Sequence, residues 1–419
     1  MKRRLFFAGA MIGSLALACQ LIVGIERTDK ADRPPEASTP DTSMPPAIPD
    51  PCVHMRPPEP PAVDDDITGQ LPPFTIGIRT FEVPMAGEPV GFDLDGVCTC
   101  DPRQGAAFDG GPSCKAALPN CDLDGGIDNQ MGAVIGGNFQ LVEAANKRIA
   151  DGQQTGLMRI TGYNGRANDK SVTVELFSSE GVRELSACDA GADASPDAAT
   201  GADTFRPGWC GDDKWSVSRQ TVEVDGTNFR PKASGTGYVS NWQLVVKIDG
   251  EARLPLTGYD LRVGSPLTVG TLVALDKNLQ PRDASTPTTD PELQRLWRMD
   301  NGTFAGRVPA KDMLAVVGII QSPIQLPKPN GEKTYICEVA AIFTIAVSNV
   351  CNARDVTSSF RLDNDPNATC DAVSLALRAQ YMPVRLGTLA ESTMMQNQCY
   401  PNGSSGTVGN VPNVTYDCP

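Results

Sequence analysis

The stretch that decides the fold runs from Phe92 to Gly137 and reads FDLDGVCTCDPRQGAAFDGGPSCKAALPNCDLDGGIDNQMGAVIGG. It contains four cysteines, two copies of Asp-Leu-Asp-Gly and a dense set of glycines. It separates a β-rich region from the first segment with helical spacing. Because turn formers and cysteines dominate it, we interpret it as a stapled, irregular junction between strands and the first helix.

The second Asp-Leu-Asp-Gly copy is a candidate calcium site. Asp122, Asp124 and Asp128 offer hard oxygen ligands in a short loop, and neighbouring glycines permit the backbone angles that such a loop needs. The loop departs from an EF-hand, because Ala133 stands where an EF-hand has its bidentate glutamate. The departure favours the alternative, an Asx/Gly turn followed by a helix N-cap.

The cysteine pattern predicts six disulfides in an exported protein. Of thirteen cysteines, Cys19 belongs to the N-terminal signal discussed below, which leaves an even number in the body. Zinc would require Cys-x-x-Cys pairs or histidines, and His54 is the single histidine. The predicted disulfide cysteines are Cys52, Cys98, Cys100, Cys114, Cys121, Cys188, Cys210, Cys337, Cys351, Cys370, Cys399 and Cys418.

The spacing of these cysteines predicts a covalent tie between the two ends of the body. Five lie at or before Cys121, five lie at or after Cys337, and Cys188 and Cys210 flank a loop. If Cys188 pairs with Cys210, each remaining group has an odd number of members. Full oxidation then requires at least one bond between the early and the late group.

The N-terminus predicts export and lipidation. Residues 1–18 combine a positive start, an apolar core over Leu5–Leu17 and small residues before Cys19. The string LALAC at 15–19 resembles the lipobox of bacterial lipoproteins, in which the cysteine carries the lipid. By the same resemblance, Gln20 implies the outer membrane, with the body facing the periplasm or the cell surface. The alternatives are an ordinary signal peptide or a short membrane anchor, but the apolar run is below the about 20 residues that span a bilayer.

Composition divides the rest of the chain. Residues 19–72 are interpreted as a flexible tether, because Pro-Pro pairs favour extended chain and apolar residues are few. The globular region is residues 73–419, either one body or two lobes, 73–187 and 205–419. Between those lobes, the small and acidic residues at 188–204 predict a flexible loop.

The predicted fold class is α+β and predominantly β, with a β-sandwich-like core, a few packed helices and disulfide staples. A high content of β-forming residues predicts a strand at Thr75–Val83, with Val90–Leu94 as a partner. Further strands are predicted at Leu157–Ile160 and, from alternation, at Val172–Phe177. Helical spacing is found at Met131–Ile149, Pro309–Ile320 and Asp371–Tyr381.

The composition of the chain disfavours several classes of function. A net charge of −14 disfavours nucleic acid as a partner. A single histidine in the proline-rich tether argues against Ser-His-Asp catalysis and histidine-bound zinc. Paired carboxylates remain a candidate for glycoside hydrolysis. Aromatic side chains are candidates for stacking on sugars: Trp209, Trp215, Trp242, Trp297, Tyr163 and Tyr238.

Short motifs give a family resemblance. The lipobox, Asp-Leu-Asp-Gly, DNQMG at 128–132, GYNG at 162–165 and CDAVS at 370–374 together resemble large secreted lipoproteins of myxobacterial type. The resemblance covers most of residues 90–390 and implies location and architecture, without an activity. The expected function is a binding or structural role in the cell envelope, with the membrane as a partner through the lipid and a glycan or envelope protein as a candidate ligand. The alternative is a carbohydrate-active hydrolase that uses paired carboxylates.

The lipobox resemblance makes a testable prediction. When cells are fed a labelled fatty acid, the wild-type protein is expected to carry the label and to sediment with membranes. Cys19→Ser should remove the label, because the lipid is attached through the cysteine sulfur, and should release the protein to the soluble fraction. Gln20→Ala is the matched control and should keep the label; equal labelling of Cys19→Ser would contradict the prediction.

Overall fold

The structure, a computed structural model, describes residues 54–65, 69–100, 113–116, 118, 120–135, 139–184, 206–226, 228–256, 259–286, 288–317, 319–322, 324–327, 331, 333–363, 365, 367–392 and 418. They belong to one unit, Asp50–Pro419. Their strands are β1 (Phe74–Glu82), β2 (Thr155–Thr161), β3 (Asp169–Ser179), β4 (Val182–Glu184), β5 (Lys214–Ser218), β6 (Val222–Asp225), β7 (Asn228–Pro231), β8 (Ala233–Ser240), β9 (Gln243–Lys247), β10 (Glu251–Leu256), β11 (Tyr259–Ala274), β12 (Trp297–Pro309) and β13 (Ala372–Ala390). Their α-helices are α1 (Met131–Ile135), α2 (Phe139–Ala150), α3 (Pro291–Gln294), α4 (Ala310–Val317) and α5 (Ala340–Asn352).

Eight antiparallel strands form a closed barrel in the order β1-β2-β3-β8-β9-β11-β12-β13. The barrel closes because β13 pairs with β12 along one edge and with β1 along the other. A predominantly β fold with few helices is confirmed, but the predicted β-sandwich-like core is wrong, since a sandwich would keep two separate sheets with free edges. Among the other strands, β10 pairs with β11, β5 with β13 and β4 with β5, and β6 and β7 form a separate two-stranded sheet.

The predicted helix at Asp371–Tyr381 is wrong, because most of this segment belongs to β13. Its leucine, alanine and arginine residues have high helix propensity, which barrel packing overrides. Val373, Leu375 and Leu377 join the main core, whereas Ala376 belongs to a separate cluster on the other face of the strand. The error hid the strand that closes the barrel.

Most other elements lie where the sequence predicted them. Strands cover the predicted segments near Thr75, Leu157 and Val172, and helices α1, α2 and α4 lie within the predicted helical segments. Val90–Leu94 forms no strand, and the partners of β1 are β2 and β13. Strands from both candidate lobes form one barrel: β1, β2 and β3 come from the first lobe and the other five from the second, and the two sets join where β3 pairs with β8 and β1 with β13. The acidic loop at 188–204 lies outside the described residues.

The barrel interior is filled by side chains, as expected for eight strands. Phe74, Ile76 and Ile160 are among the buried residues of the main core. Aromatic rings gather beside Phe74, where the rings of Tyr163 and Trp297 lie 6.3 and 5.9 Å from its centroid. No helix of the described residues is long and apolar enough to cross a membrane.

The stretch that begins at Phe92 covers an apolar patch on the outer face of the barrel. Phe92 packs there in one cluster with Val245, Leu267, Val269, Ala305 and Ala376. The approach is close: a Cβ on Gly91 would lie 2.9 Å from that of Ala376, and the φ angle of Gly91 is +133°. Only glycine fits this position without strain.

Part of the predicted tether contacts the barrel unit. The Met55 amide donates to the carbonyl of Gly125, and the hydroxyl of Tyr238 donates to the carbonyl of Pro58. Further along, the Lys170 amide donates to the Asp64 carboxylate at 2.6 Å. Among the described residues, contacts with the body are therefore present at 54–65, before the first strand. Residues 1–53 lie outside the described range.

Disulfides tie the junction to β13. The bonds with both partners described are Cys100–Cys121, Cys114–Cys370 and Cys351–Cys418. Because Cys114 belongs to the early group and Cys370 to the late group, the predicted tie between the groups is confirmed. Disulfide bonds also involve Cys98, Cys210 and Cys337, so all nine described cysteines are oxidised. The remaining cysteines lie outside the described residues: Cys19, Cys52, Cys188 and Cys399.

The long-range disulfide is expected to stabilise the fold more than the local one. Cys114 and Cys370 are 256 residues apart, whereas Cys100 and Cys121 are only 21 apart. Replacing the first pair by alanines should lower the free energy of unfolding by roughly 4–5 kcal/mol, against roughly 3 kcal/mol for the second, because a longer loop restrains the unfolded chain more. Urea unfolding without reductant measures both; an equal loss would contradict this expectation.

Candidate functional site

The junction brings five aspartates together on the outer face of the barrel. Asp93 and Asp95 come from the first Asp-Leu-Asp-Gly copy and Asp122 from the second. Asp128 precedes α1, and Asp355 lies between α5 and β13. Carboxylate oxygens of Asp93, Asp95 and Asp128 lie within 4.8 Å of one another. Asp122 and Asp355 are near enough to repel the charge of Asp128. We call these five residues the acid cluster.

Backbone amides position the first motif. The carboxylate of Asp93 accepts from the Gly96 amide at 2.6 Å, and that of Asp95 accepts from the Val97 amide at 2.9 Å. These Asx-type turns direct the two alternate carboxylates of the motif towards the same side. Gly96 completes the turn with a φ angle of +79°, which glycine adopts without strain.

Other hydrogen bonds fasten the second motif to the first. The carboxylate of Asp122 accepts from the Thr99 amide at 2.6 Å, next to the Cys100–Cys121 disulfide. Asp128 bonds in both directions: its amide donates to the Phe92 carbonyl, and its Oδ2 accepts from the Leu94 amide at 2.6 Å. The two aspartate loops are therefore held in one fixed arrangement.

Asp355, the last member of the cluster, binds the edge of β13. The Ser374 amide donates to Asp355 Oδ1 at 2.8 Å, and the Ser374 hydroxyl donates to Asp355 Oδ2. Beside it, the Ala376 amide donates to the side-chain oxygen of Asn129 at 3.1 Å. Side chains of the junction and of the loop before β13 therefore take the place of a pairing strand at this edge.

Burial raises the pKa of four of these carboxyls, because loss of water disfavours the charged form. It raises the pKa of Asp122 to about 8 and that of Asp355 to about 7. The pKa of Asp128 lies well above its ordinary value, first through burial and then through repulsion by Asp95 and Asp122. Burial also raises the pKa of Asp95. Without a cation, the acid cluster therefore holds protons near neutral pH.

Two basic side chains border the cluster. His54 was expected to lie away from any packed site, but its Nδ1 is in hydrogen-bond contact with the carboxylate of Asp93, and 19% of its side chain is exposed. Arg307 is buried and donates to the Leu94 carbonyl, while both its terminal nitrogens bind the carboxylate of Asp363. Its positive charge is thereby shared with a carboxylate outside the cluster.

The structure places the predicted calcium ligands differently. Asp122 and Asp128 belong to the acid cluster, whereas Asp124 is exposed and is absent from the group of converging oxygens. Asp93, Asp95 and Asp355 were not predicted as site residues. The duplicated Asp-Leu-Asp-Gly string was a signal for the first two, but no local signal pointed to Asp355, which is distant in sequence.

Most of the candidate sugar-stacking rings are buried. Trp209, Trp215, Trp297 and Tyr163 are at most 8% exposed, and Trp242 and Tyr238 are partly exposed. Buried rings have no free face for a sugar, so these residues serve the core.

A separate polar cleft of about 500 Å³ opens beside the β10–β11 hairpin. Arg262, Lys311 and Asp371 line it with charge, and the exposed Phe360 adds one ring. Arg262 is held by the buried carboxylate of Asp312 at 2.5 Å. The cleft therefore offers charged groups and one ring to a polar ligand.

Comparison with known proteins gives no relative: no protein-family model, no curated protein and no solved structure matches this chain.

The raised pKa values predict that stability falls as pH rises. In chelator-containing buffer, the Asp122 carboxyl stays protonated in the folded protein up to about pH 8, whereas in the unfolded chain it loses its proton near pH 3.8. Because the folded state binds the proton more tightly, it is favoured at low pH, and this contribution to stability is lost as pH rises to about 8. We expect the free energy of unfolding to decrease by several kcal/mol over this range, because each pKa unit corresponds to about 1.4 kcal/mol.

Urea unfolding at a series of pH values measures this decrease. Asp122→Asn should reduce the slope, because an amide does not titrate, whereas the exposed Asp124→Asn should leave it unchanged. A free energy of unfolding that stays level or rises between these pH values would contradict the assignment.

Proposed function

We propose that this chain is a lipid-anchored outer-membrane protein with a non-catalytic binding or structural role in the cell envelope. The lipobox at 15–19 supports the anchor at Cys19. Oxidation of all nine described cysteines supports an exported protein, since disulfides persist in oxidising compartments.

One observation carries the non-catalytic role: the clustered acids are buried. A glycoside hydrolase needs two carboxyl groups on either side of an accessible sugar bond. Here the side chain of Asp93 is 2% exposed, and Asp95 and Asp128 are 5% and 1% exposed. Packing, with the carboxylates engaged by backbone amides, leaves no room for a sugar between them. Such an arrangement favours stabilisation of the junction over turnover.

The polar cleft is the candidate binding site for an envelope ligand such as a glycan. It is large enough for a small polar ligand. Its charged side chains and the Phe360 ring suit a polyhydroxylated or charged surface, which needs hydrogen-bonding groups and one apolar contact.

A glycan array and a sugar-release assay on the purified full-length protein, with and without calcium, test this proposal. We expect binding without release of sugar. Phe360→Ala should weaken binding about fivefold, because aromatic contacts contribute about 1 kcal/mol. Leu362→Ala, a neighbouring exposed apolar residue outside the cleft, is the matched control. Sugar release that disappears in Asp122→Asn would contradict the non-catalytic role and favour the hydrolase.

A further inference from the structure

We propose that the acid cluster is a calcium site in which Asp93, Asp95 and Asp128 are the protein ligands. Calcium binds oxygens at about 2.3–2.6 Å, so two of its ligands on opposite sides lie nearly 5 Å apart. One carboxylate oxygen from each of these three residues lies within 4.8 Å of the other two. A single calcium ion placed among them can therefore contact all three.

An unpaired oxygen points independently to a ligand. Asp128 is 1% exposed, and its Oδ1 has no hydrogen-bond partner, although its Oδ2 accepts from the Leu94 amide. A buried carboxylate oxygen without a partner costs free energy that the fold must offset. One oxygen of Asp128 belongs to the converging group, so a cation bound there would coordinate the carboxylate whose Oδ1 lacks a partner.

When ionised, the acid cluster concentrates negative charge in one place. Asp122 and Asp355 add two carboxyls beside the three ligands. Two basic side chains lie beside these carboxyls: His54 contacts Asp93, and Arg307 binds Asp363 outside the cluster. A divalent cation would balance charges that these two side chains leave in excess, and it would remove the repulsion between the two aspartate loops.

The donor set favours calcium over other common metals. All three ligands are carboxylates, whereas zinc prefers thiolate and imidazole. Cys98 lies 3.9 Å from His54 Nδ1, but its sulfur is engaged in a disulfide and is no thiolate. Irregular loops rather than regular elements carry the ligands. Such loops suit the flexible coordination of calcium better than the strict octahedron of magnesium.

The competing occupant is a proton. A hydrogen bond with the Asp128 carboxyl acts to lower the pKa of Asp122, so one proton shared by this pair is the alternative to a cation. A proton needs only the Asp122–Asp128 pair, whereas calcium also needs Asp93 and Asp95. Substitutions at the first motif therefore separate the two occupants.

Calorimetric titration of calcium chloride into the chelator-treated full-length protein tests the proposal at neutral pH. We expect one ion per chain, with a dissociation constant between about 10⁻⁵ and 10⁻³ M. Asp95→Asn and Asp128→Asn should each weaken binding at least about tenfold, since each removes a charged ligand. Asp124→Asn is the matched control, because it removes the same charge from the same loop without touching the cluster.

Thermal unfolding with and without calcium provides the second readout. The wild type and Asp124→Asn should gain melting temperature with calcium, and Asp95→Asn should not. Asp128→Asn should still fold, because its amide oxygen can accept from the Leu94 amide while the amide nitrogen can donate to Asp122. Absence of calcium binding in the wild type would overturn the site in favour of the shared proton, as would equal binding by Asp95→Asn. A loss confined to Asp124→Asn would overturn the assignment of the ligands.

Discussion

The unpaired edge of β13 is the constraint on which the junction depends. β1 pairs with β13 as far as Glu82 opposite Arg378, and beyond that point the amides of β13 need other acceptors. The Ala372 amide donates to the carbonyl of Val356. The amides of Ser374 and Ala376 donate to the side chains of Asp355 and Asn129, respectively. A strand edge is satisfied there largely by side chains, and those side chains have to be polar.

Burial of acids follows from this arrangement. Asp355 and Asn129 must reach the strand edge, and Phe92 must cover the apolar patch beside it, so the two aspartate loops are drawn into a packed space. Carboxylates that leave water become harder to ionise. Covalent ties oppose the resulting repulsion, because Cys100–Cys121 holds the two loops together and Cys114–Cys370 holds the junction to β13. A bound cation, or protons on the carboxyls, would neutralise the remaining negative charge.

Local pattern predicted the elements that depend on local interactions. β-forming residues predicted β1, alternation predicted β3, and helical spacing predicted α2 and α4. The same reasoning failed at β13, where helix-forming residues lie in a strand that packs on both faces. Propensity describes a residue in isolation, whereas β13 owes its conformation to pairing with β1 and β12. Without that strand, the sequence indicated a sandwich.

The sequence by itself determined the oxidised cysteine framework, the bond between its early and late groups, the β-rich composition and the importance of the duplicated Asp-Leu-Asp-Gly stretch. These features follow from counts, parity and local spacing. Only the tertiary structure decided that the barrel closes and that Asp93, Asp95 and Asp355 join Asp122 and Asp128 while Asp124 faces solvent. The reason is physical: which carboxylates meet depends on how distant segments pack on one strand edge, and spacing along the chain carries no information about that packing.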